Sequence, residues 1–305
     1  MIAPTYPTHH TKDLLKTEVI SCPVCQQERN KEKYQIRGWK IVECESCKFV
    51  HVNPRLEKKE LLKIYSSNYF DNKEVGYYHY TENEILRKEN FRKWVYDALP
   101  FLNHSKPTQA LDVGCAAGYC LEVFKELNWK AFGIELDKGL ADSLRKREFE
   151  IFDSPLVNAT TTEKFDFICL FDVLEHLTDL AENMKKLLSI LKEDGIIVLV
   201  TPNYGSWQRK LFGKKWFQFK PIEHINYFDR RSLQKLVTEN GFEIVQTKSS
   251  GQFCDIAFLE NRIRKYRFHF LLPFFYFFVK LFQLKTKHFY IDTASLYVVL
   301  KKKPF

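Results

Sequence analysis

Four cysteines in this 305-residue chain are spaced for a metal: Cys22 and Cys25 form one C-x2-C pair, and Cys44 and Cys47 form another after eighteen residues. Each pair puts two thiolates on one tight turn, and two such turns make a tetrahedron suited to zinc. Four protein thiolates leave no open coordination position, so the metal expected here is structural. The alternative is a pair of buried or redox-active CxxC turns. Cys115, Cys120, Cys169 and Cys254 are scattered and read as small core residues. A second group runs from Asp112 to His224. Asp112-Val113-Gly114-Cys115-Ala116-Ala117-Gly118 is a turn whose two glycines let the backbone bend sharply and approach a ligand closely. Glu135, Asp153 and the pair Asp172-Val173 follow, then His176, then Glu223-His224. A histidine or carboxylate titrating near neutrality is the kind of group that removes a proton from a hydroxyl or carbon nucleophile.

The elements around these residues alternate between strand and helix. ALDV, WKAFGIEL, FDFICLFDV and GIIVLVT read as apolar strands. YCLEVFKELN, KGLADSLRKR and LAENMKKLLSILK read as helices between them. Such alternation predicts an α/β, Rossmann-like doubly wound sheet, whose ligands bind beyond the carboxyl ends of the strands. The candidates from Asp112 to His176 stand at the ends of strands or just after them. Upstream, YQIRGWKIVEC reads as a hairpin and KFVHVNPR as another strand. Two amphipathic helices follow, in LEKKELLKIYSS and NEILRKENFRKWVYDALPFL. The aromatic segment NYFDNKEVGYYHY between them is either an arm folded over a pocket or plain packing. The expected organisation is an N-terminal arm over 1–20, a zinc ribbon over 21–56, a helical connecting arm over 57–105 and a core over 106–301. Within that core, 251–291 is a basic aromatic insertion before the last strand.

The glycine turn is not a dinucleotide fingerprint. G-x-G-x-x-G counted from Gly114 meets Ala116 and Tyr119 instead of glycines. An acid before the turn repels a pyrophosphate and suits an amine or a sulfonium. Glu135, 21 residues beyond Gly114, is placed to accept both hydroxyls of a ribose. The ligand implied is a nucleoside with a cationic, phosphate-free tail: S-adenosylmethionine. LDVGCAAGY, GIELD, FDVLEHL and VTPN, in that order, resemble class I S-adenosylmethionine-dependent methyltransferases. The resemblance is to the bacterial branch with an N-terminal zinc ribbon and an EHxxYF segment. It covers about residues 108–250 and 20–56 and departs from the family at Ala116, where glycine is commoner. It implies that Asp112, Gly114, Cys115 and Gly118 hold the methionine part and Glu135 the ribose. It places Asp172 and Val173 beside the cofactor and Asp153 at the adenine, the alternative for Asp153 being a solvated loop acid. In the sugar methyltransferases this branch resembles, the EH pair supplies the base. Glu223 and His224 are thus the candidates, with His176 a second base or a buttress of its loop.

The acceptor expected is a small molecule, a sugar or glycan, or a lipid-linked molecule. The adenine-methylase sequence N-P-P-Y is absent after FDFICLFDV, and Cys169 lies inside that strand, so nucleic acid is not the expected acceptor. Two alternatives remain open: an RNA methyltransferase binding through the ribbon and basic tail, and a non-catalytic binding module on the same fold. The net charge of +9 is local: residues 261–305 hold ten Lys/Arg and one acid, so the first 260 residues balance to zero. Residues 262–287, an apolar aromatic block flanked by cations, suit an anionic membrane surface, a partner helix or a lid. No apolar run is long enough to span a bilayer and the N-terminus has no secretory h-region. The protein is therefore expected in the cytoplasm, peripheral at the inner membrane face. The sequence carries no signal for oligomeric state.

Overall fold

The structure, a computed structural model, describes residues 15–66, 84–102, 109–265, 268–284 and 287–304. The aromatic segment 68–80 and most of the expected N-terminal arm lie outside the described residues. The chain opens with five short strands: β1 (Thr17–Glu18), β2 (Asn30–Ile36), β3 (Trp39–Cys44), β4 (Val50–Val52) and β5 (Arg55–Leu56). The β2–β3 hairpin turns through Arg37 and Gly38, both left-handed, as a two-residue hairpin turn requires. Helices α1 (Lys58–Ser66) and α2 (Glu84–Ala98) lead to the core.

The core runs β6 (Gln109–Val113), α3 (Tyr119–Glu126), β7 (Lys130–Ile134), α4 (Lys138–Lys146), β8 (Glu150–Phe152), β9 (Phe165–Phe171), α5 (Leu180–Ile190) and β10 (Leu191–Pro202). After it come α6 (Trp207–Phe212), β11 (Asn226–Tyr227), α7 (Arg230–Glu239), β12 (Phe242–Cys254), α8 (Ile256–Lys265), α9 (Leu272–Leu281) and β13 (Phe289–Lys302). Seven strands form one sheet in the order β12-β13-β10-β9-β6-β7-β8. The five from β10 to β8 are parallel, and β13 is antiparallel to both β10 and β12. All seven residues of β9 are buried, as a strand covered on both faces demands. Its alternation divides the core: Ile168 and Leu170 face one apolar layer, Phe167 and Cys169 the other. The chain proceeds outward from β6 to β8 and then returns to β9 on the other side of β6. The crevice where that order reverses, at the ends of β6 and β9, is where such sheets bind ligands.

The cysteine-bearing segment is built into this core. β4 pairs antiparallel with β11, Val50 opposite Tyr227 and His51 opposite Asn226, so the segment after β10 completes its sheet. Cys22, Cys44 and Phe49 join the apolar layer that holds Phe228, Leu233 and Leu236. At the other end, β12 and β13 extend beyond the sheet to Cys254 and from Phe289. The helical excursion between them is therefore 255–288, shorter than 251–291. Pro273 lies in the first turn of α9, where its missing N–H costs nothing.

Candidate functional site

A cavity of about 310 Å³ opens at the ends of β6, β7 and β9. The first wall comes from the turn after β6. Gly114 and Gly118 are left-handed, at φ 74° and 82°. A Cβ on Gly114 would stand 2.8 Å from Val173 Cγ2, and one on Gly118 would strike Leu144, so at either left-handed position a side chain is strained and displaces its neighbour. Ala116, where the expected glycine is missing, holds φ 47°, a conformation an alanine adopts at some cost.

Glu135 follows β7 and fixes this turn. Its Oε2 accepts the Ala116 N–H at 2.8 Å and its Oε1 the Asp137 N–H at 2.8 Å. The carboxyl is buried and lines the cavity, and each oxygen keeps lone-pair capacity for a further donor. Burial raises its pKa, with the backbone donors opposing. Beside it Leu136, Pro155, Leu156 and Val157 make an apolar wall.

The structure separates the sequence candidates. Gly114, Glu135, Asp172, Val173 and His176 line the cavity. Asp112, Cys115, Gly118, Asp153, Glu223 and His224 do not. Asp112 lies behind the turn, where its Oδ1 accepts the Cys169 thiol at 3.2 Å. Burial, with the nearby Glu135 charge, pushes it up to about 7. Cys115 is buried, its sulfur packed close to Gly133. Asp153 is turned to the surface, because Arg145 of α4 pairs with it at 3.1 Å, and pairing holds its pKa low. Asp153 is not among the cavity-lining residues, whereas Pro155, Leu156 and Val157 are.

The second wall carries the titratable groups. Asp172 ends β9 in a left-handed conformation, φ 55°. Burial pushes it up to about 6 against the pull of Lys220 and Arg87. His176 closes a single helical turn, Leu174–His176. Its Nδ1 lies 2.9 Å from the Tyr65 hydroxyl and 2.9 Å from the Glu223 carbonyl. A carbonyl only accepts, so the proton is assigned to Nδ1 and Nε2 keeps its lone pair. Burial, with the Lys220 charge, pushes His176 down to about 3, so the ring is neutral at pH 7.

His224, the expected base, stands behind His176, the ring centroids 4.8 Å apart and perpendicular. It is buried, its Nδ1 bonds the Gln218 carbonyl at 3.0 Å, and its Nε2 has no hydrogen-bond partner among the described residues. Glu175 Oε1 is also buried without a partner, while Oε2 accepts the Thr201 hydroxyl at 2.8 Å. Burial, with the Asp172 charge, holds the Glu175 carboxyl well above the ordinary carboxylate range. One ligand atom each from Glu175, His176 and His224 lies within 4.8 Å of the others. Glu223 contributes its carbonyl to His176, and its carboxylate lies 3.6 Å from Lys220 Nζ.

Several cavity residues were not among the sequence candidates. Tyr65 ends α1, and Arg87, Asn90, Phe91 and Trp94 come from α2. Asn90 is a polar residue between Leu86 and Trp94 on the buried face of α2, and that was the readable signal. Its Oδ1 accepts the Phe253 N–H at 2.6 Å, tying α2 to the end of β12. Phe253, Cys254 and Phe258 complete the wall there.

The four cysteines of the ribbon converge as their spacing predicts. Cys22 and Cys47 Sγ are 3.5 Å apart, as are Cys25 and Cys44, and all four lie within 4.8 Å of one another. A zinc with ~2.3 Å bonds to four sulfurs sets them about 3.8 Å apart, so this donor set fits one.

A family profile described as "Methyltransferase domain" matches residues 84–247, more than half of the chain. A ubiquinone biosynthesis O-methyltransferase from Rhodopseudomonas palustris strain HaA2 is 29% identical over 154 residues, 46% of this chain and 60% of that protein. The chain thus spans about 60% of the length of that relative. The plantazolicin methyltransferase BpumL, solved with S-adenosylhomocysteine, superposes with a TM-score of 0.53 at 16% identity, covering 80% of this chain and 94% of BpumL. The 1,6-didemethyltoxoflavin-N1-methyltransferase of Burkholderia thailandensis superposes at 0.51 with 12% identity, covering 90% of this chain and 100% of its own. Both likenesses concern the fold.

Proposed function

Because the chain belongs to the methyltransferase-domain family, we propose that it transfers a methyl group from S-adenosylmethionine to a small-molecule acceptor, a sugar, glycan or lipid-linked molecule. The observation that carries this reading is Glu135: a buried carboxylate held by two backbone donors, facing the cavity beside a turn in which a side chain at Gly114 would be strained. Those residues fit a nucleoside with a cationic tail. Glu135 accepts from the ribose hydroxyls, Leu136, Leu156 and Val157 pack the base, and the backbone at Gly114 borders the tail. Asp172 adds negative charge on the same wall, which suits a sulfonium and not a phosphate.

S-adenosylmethionine, when bound, supplies an electrophilic methyl group. The protein's part is alignment and proton removal. His176 lines the cavity, and its Nε2 is the atom that takes the acceptor's proton. Tyr65 and the Glu223 carbonyl fix the ring. Glu175 Oε1 lies 4.0 Å from His176 Nε2. Phe91, Trp94 and Phe253 exclude water. The Rhodopseudomonas relative is named an O-methyltransferase, which favours an oxygen acceptor. His224 holds His176 from behind. The four thiolates of Cys22, Cys25, Cys44 and Cys47 hold one structural zinc, which anchors the sheet that β11 completes and so positions Glu223. The test is methyl transfer from labelled cofactor to nucleotide sugars, extracted lipids and RNA, with calorimetry of S-adenosylhomocysteine alongside. Binding with transfer to the first two supports the reading. Absence of binding overturns it.

A further inference from the structure

The excursion between β12 and β13 exposes what a globular surface normally hides. Phe270, Phe274, Phe277, Phe278, Leu281 and Phe282 are each 51–68% exposed. They sit on α9 and its flanks, and α9 packs mainly on α8 and the single turn His269–Leu271. Apolar exposure of this extent marks a binding surface. Ten residues are too few to cross a bilayer, and among the described residues no helix is long and apolar enough to do so.

We propose that this excursion docks the protein on an anionic lipid surface, with α9 lying in the interface. The charge decides between occupants. No acid occurs from residue 261 to 291, where seven Lys/Arg fall; Lys301 and Lys302 stand at the other end of β13, opposite the start of β12. Lys280 and Lys287 are exposed at the end of the block and beyond it. A second copy of the chain, joined about a two-fold axis, would set this cationic surface against itself. An anionic bilayer complements it: aromatic rings enter the headgroup boundary and lysines meet phosphates. A lid on the protein's own body would have covered these rings.

The root of the excursion joins this surface to the cavity. Phe253 and Cys254 at the end of β12 and Phe258 on α8 line the cavity wall. Docking therefore sets that wall beside the lipid. Resting on the methyltransferase reading, this selects an acceptor that carries a long apolar chain and is presented from the membrane.

The test is co-sedimentation with vesicles of phosphatidylcholine containing phosphatidylglycerol, against phosphatidylcholine alone, over a sodium chloride series. The protein should bind the anionic vesicles about tenfold or more tightly and release as salt rises. The triple variant Phe274→Ser, Phe277→Ser, Phe278→Ser should lose at least tenfold while keeping its melting temperature and its affinity for S-adenosylhomocysteine. Lys280→Glu with Lys287→Glu should lose preference for the anionic lipid. A wild-type protein that ignores anionic vesicles at low salt overturns the proposal. So does a dimer in solution that the triple variant dissociates. Calorimetry on the same preparation reads the cofactor site independently, so failure of the surface and failure of the site are told apart.

Discussion

Replacing Glu135 by alanine separates binding from folding, because this carboxylate serves both. On the ligand side its oxygens face the cavity as acceptors for two ribose hydroxyls. A hydrogen bond to a charged group contributes roughly 1.5–3 kcal/mol, so two such bonds, weighted to the lower end, contribute about 3 kcal/mol. That is about a hundredfold in affinity. On the protein side the Ala116 and Asp137 N–H groups lose their acceptors at 2.8 Å. Each orphaned donor costs about 1–3 kcal/mol where water does not replace the carboxylate. Ala116 is also one of the left-handed residues of the turn, so the turn itself should loosen. Glu135→Gln divides the two effects. Its amide keeps one acceptor oxygen but turns an NH2 toward the other backbone donor. Calorimetry with S-adenosylhomocysteine, on variants whose melting curves show a folded protein, should give a loss of one to two orders of magnitude for Glu135→Ala. The loss for Glu135→Gln should be intermediate. Unchanged affinity in a folded Glu135→Ala protein refutes the placement of the nucleoside against β7.

His176→Ala should cut turnover by about 10²–10⁴ with cofactor affinity nearly intact, and His224→Ala by less, through loss of support behind the ring. Equal losses, or a larger one at His224, would return the base to His224. Asp112 gives a pH signature. Its pKa rises from the usual ~3.9 to about 7 on folding. The proton it keeps stabilises the native state below about pH 4, and that contribution is lost as pH rises through 7. Asp112→Asn lacks this loss, so it should gain roughly 1–4 kcal/mol on the wild type between pH 4 and 8 in urea denaturation. A constant difference would show that the site is not desolvated. Elemental analysis should find one zinc per chain. A chelator should lower the melting temperature of the whole protein, since Cys22 and Cys44 share an apolar layer with Phe228 and Leu233. Zinc-free protein purified without chelator, melting unchanged, would sink the metal reading.

What the sequence made legible follows from the range of the forces involved. Strands such as FDFICLF announce themselves because a strand covered on both faces must be apolar throughout, and the glycine turn because only glycine tolerates its backbone. Gly114, Glu135, Asp172 and His176 were found by asking what stands just after a strand, and the structure puts all four at one cavity. At Asp153 the same rule points to a residue that does not line the cavity. β8 is the edge strand, and Arg145 of α4 is near enough to draw the carboxylate outward. His224 illustrates a different limit. Its segment leaves the sheet after β10 and is recaptured by β4, a pairing between residues about 175 apart that no local pattern encodes. In that segment the Glu223 carbonyl meets His176 Nδ1 at 2.9 Å, and the His224 ring stands 4.8 Å from the His176 ring. The cysteine-bearing segment thus reaches the cavity through a chain of contacts: Cys44 ends β3, β3 pairs with β4, β4 pairs with β11, and the Glu223 carbonyl before β11 meets His176 Nδ1. A substitution at Cys44 is expected to act on the orientation of an imidazole it never touches.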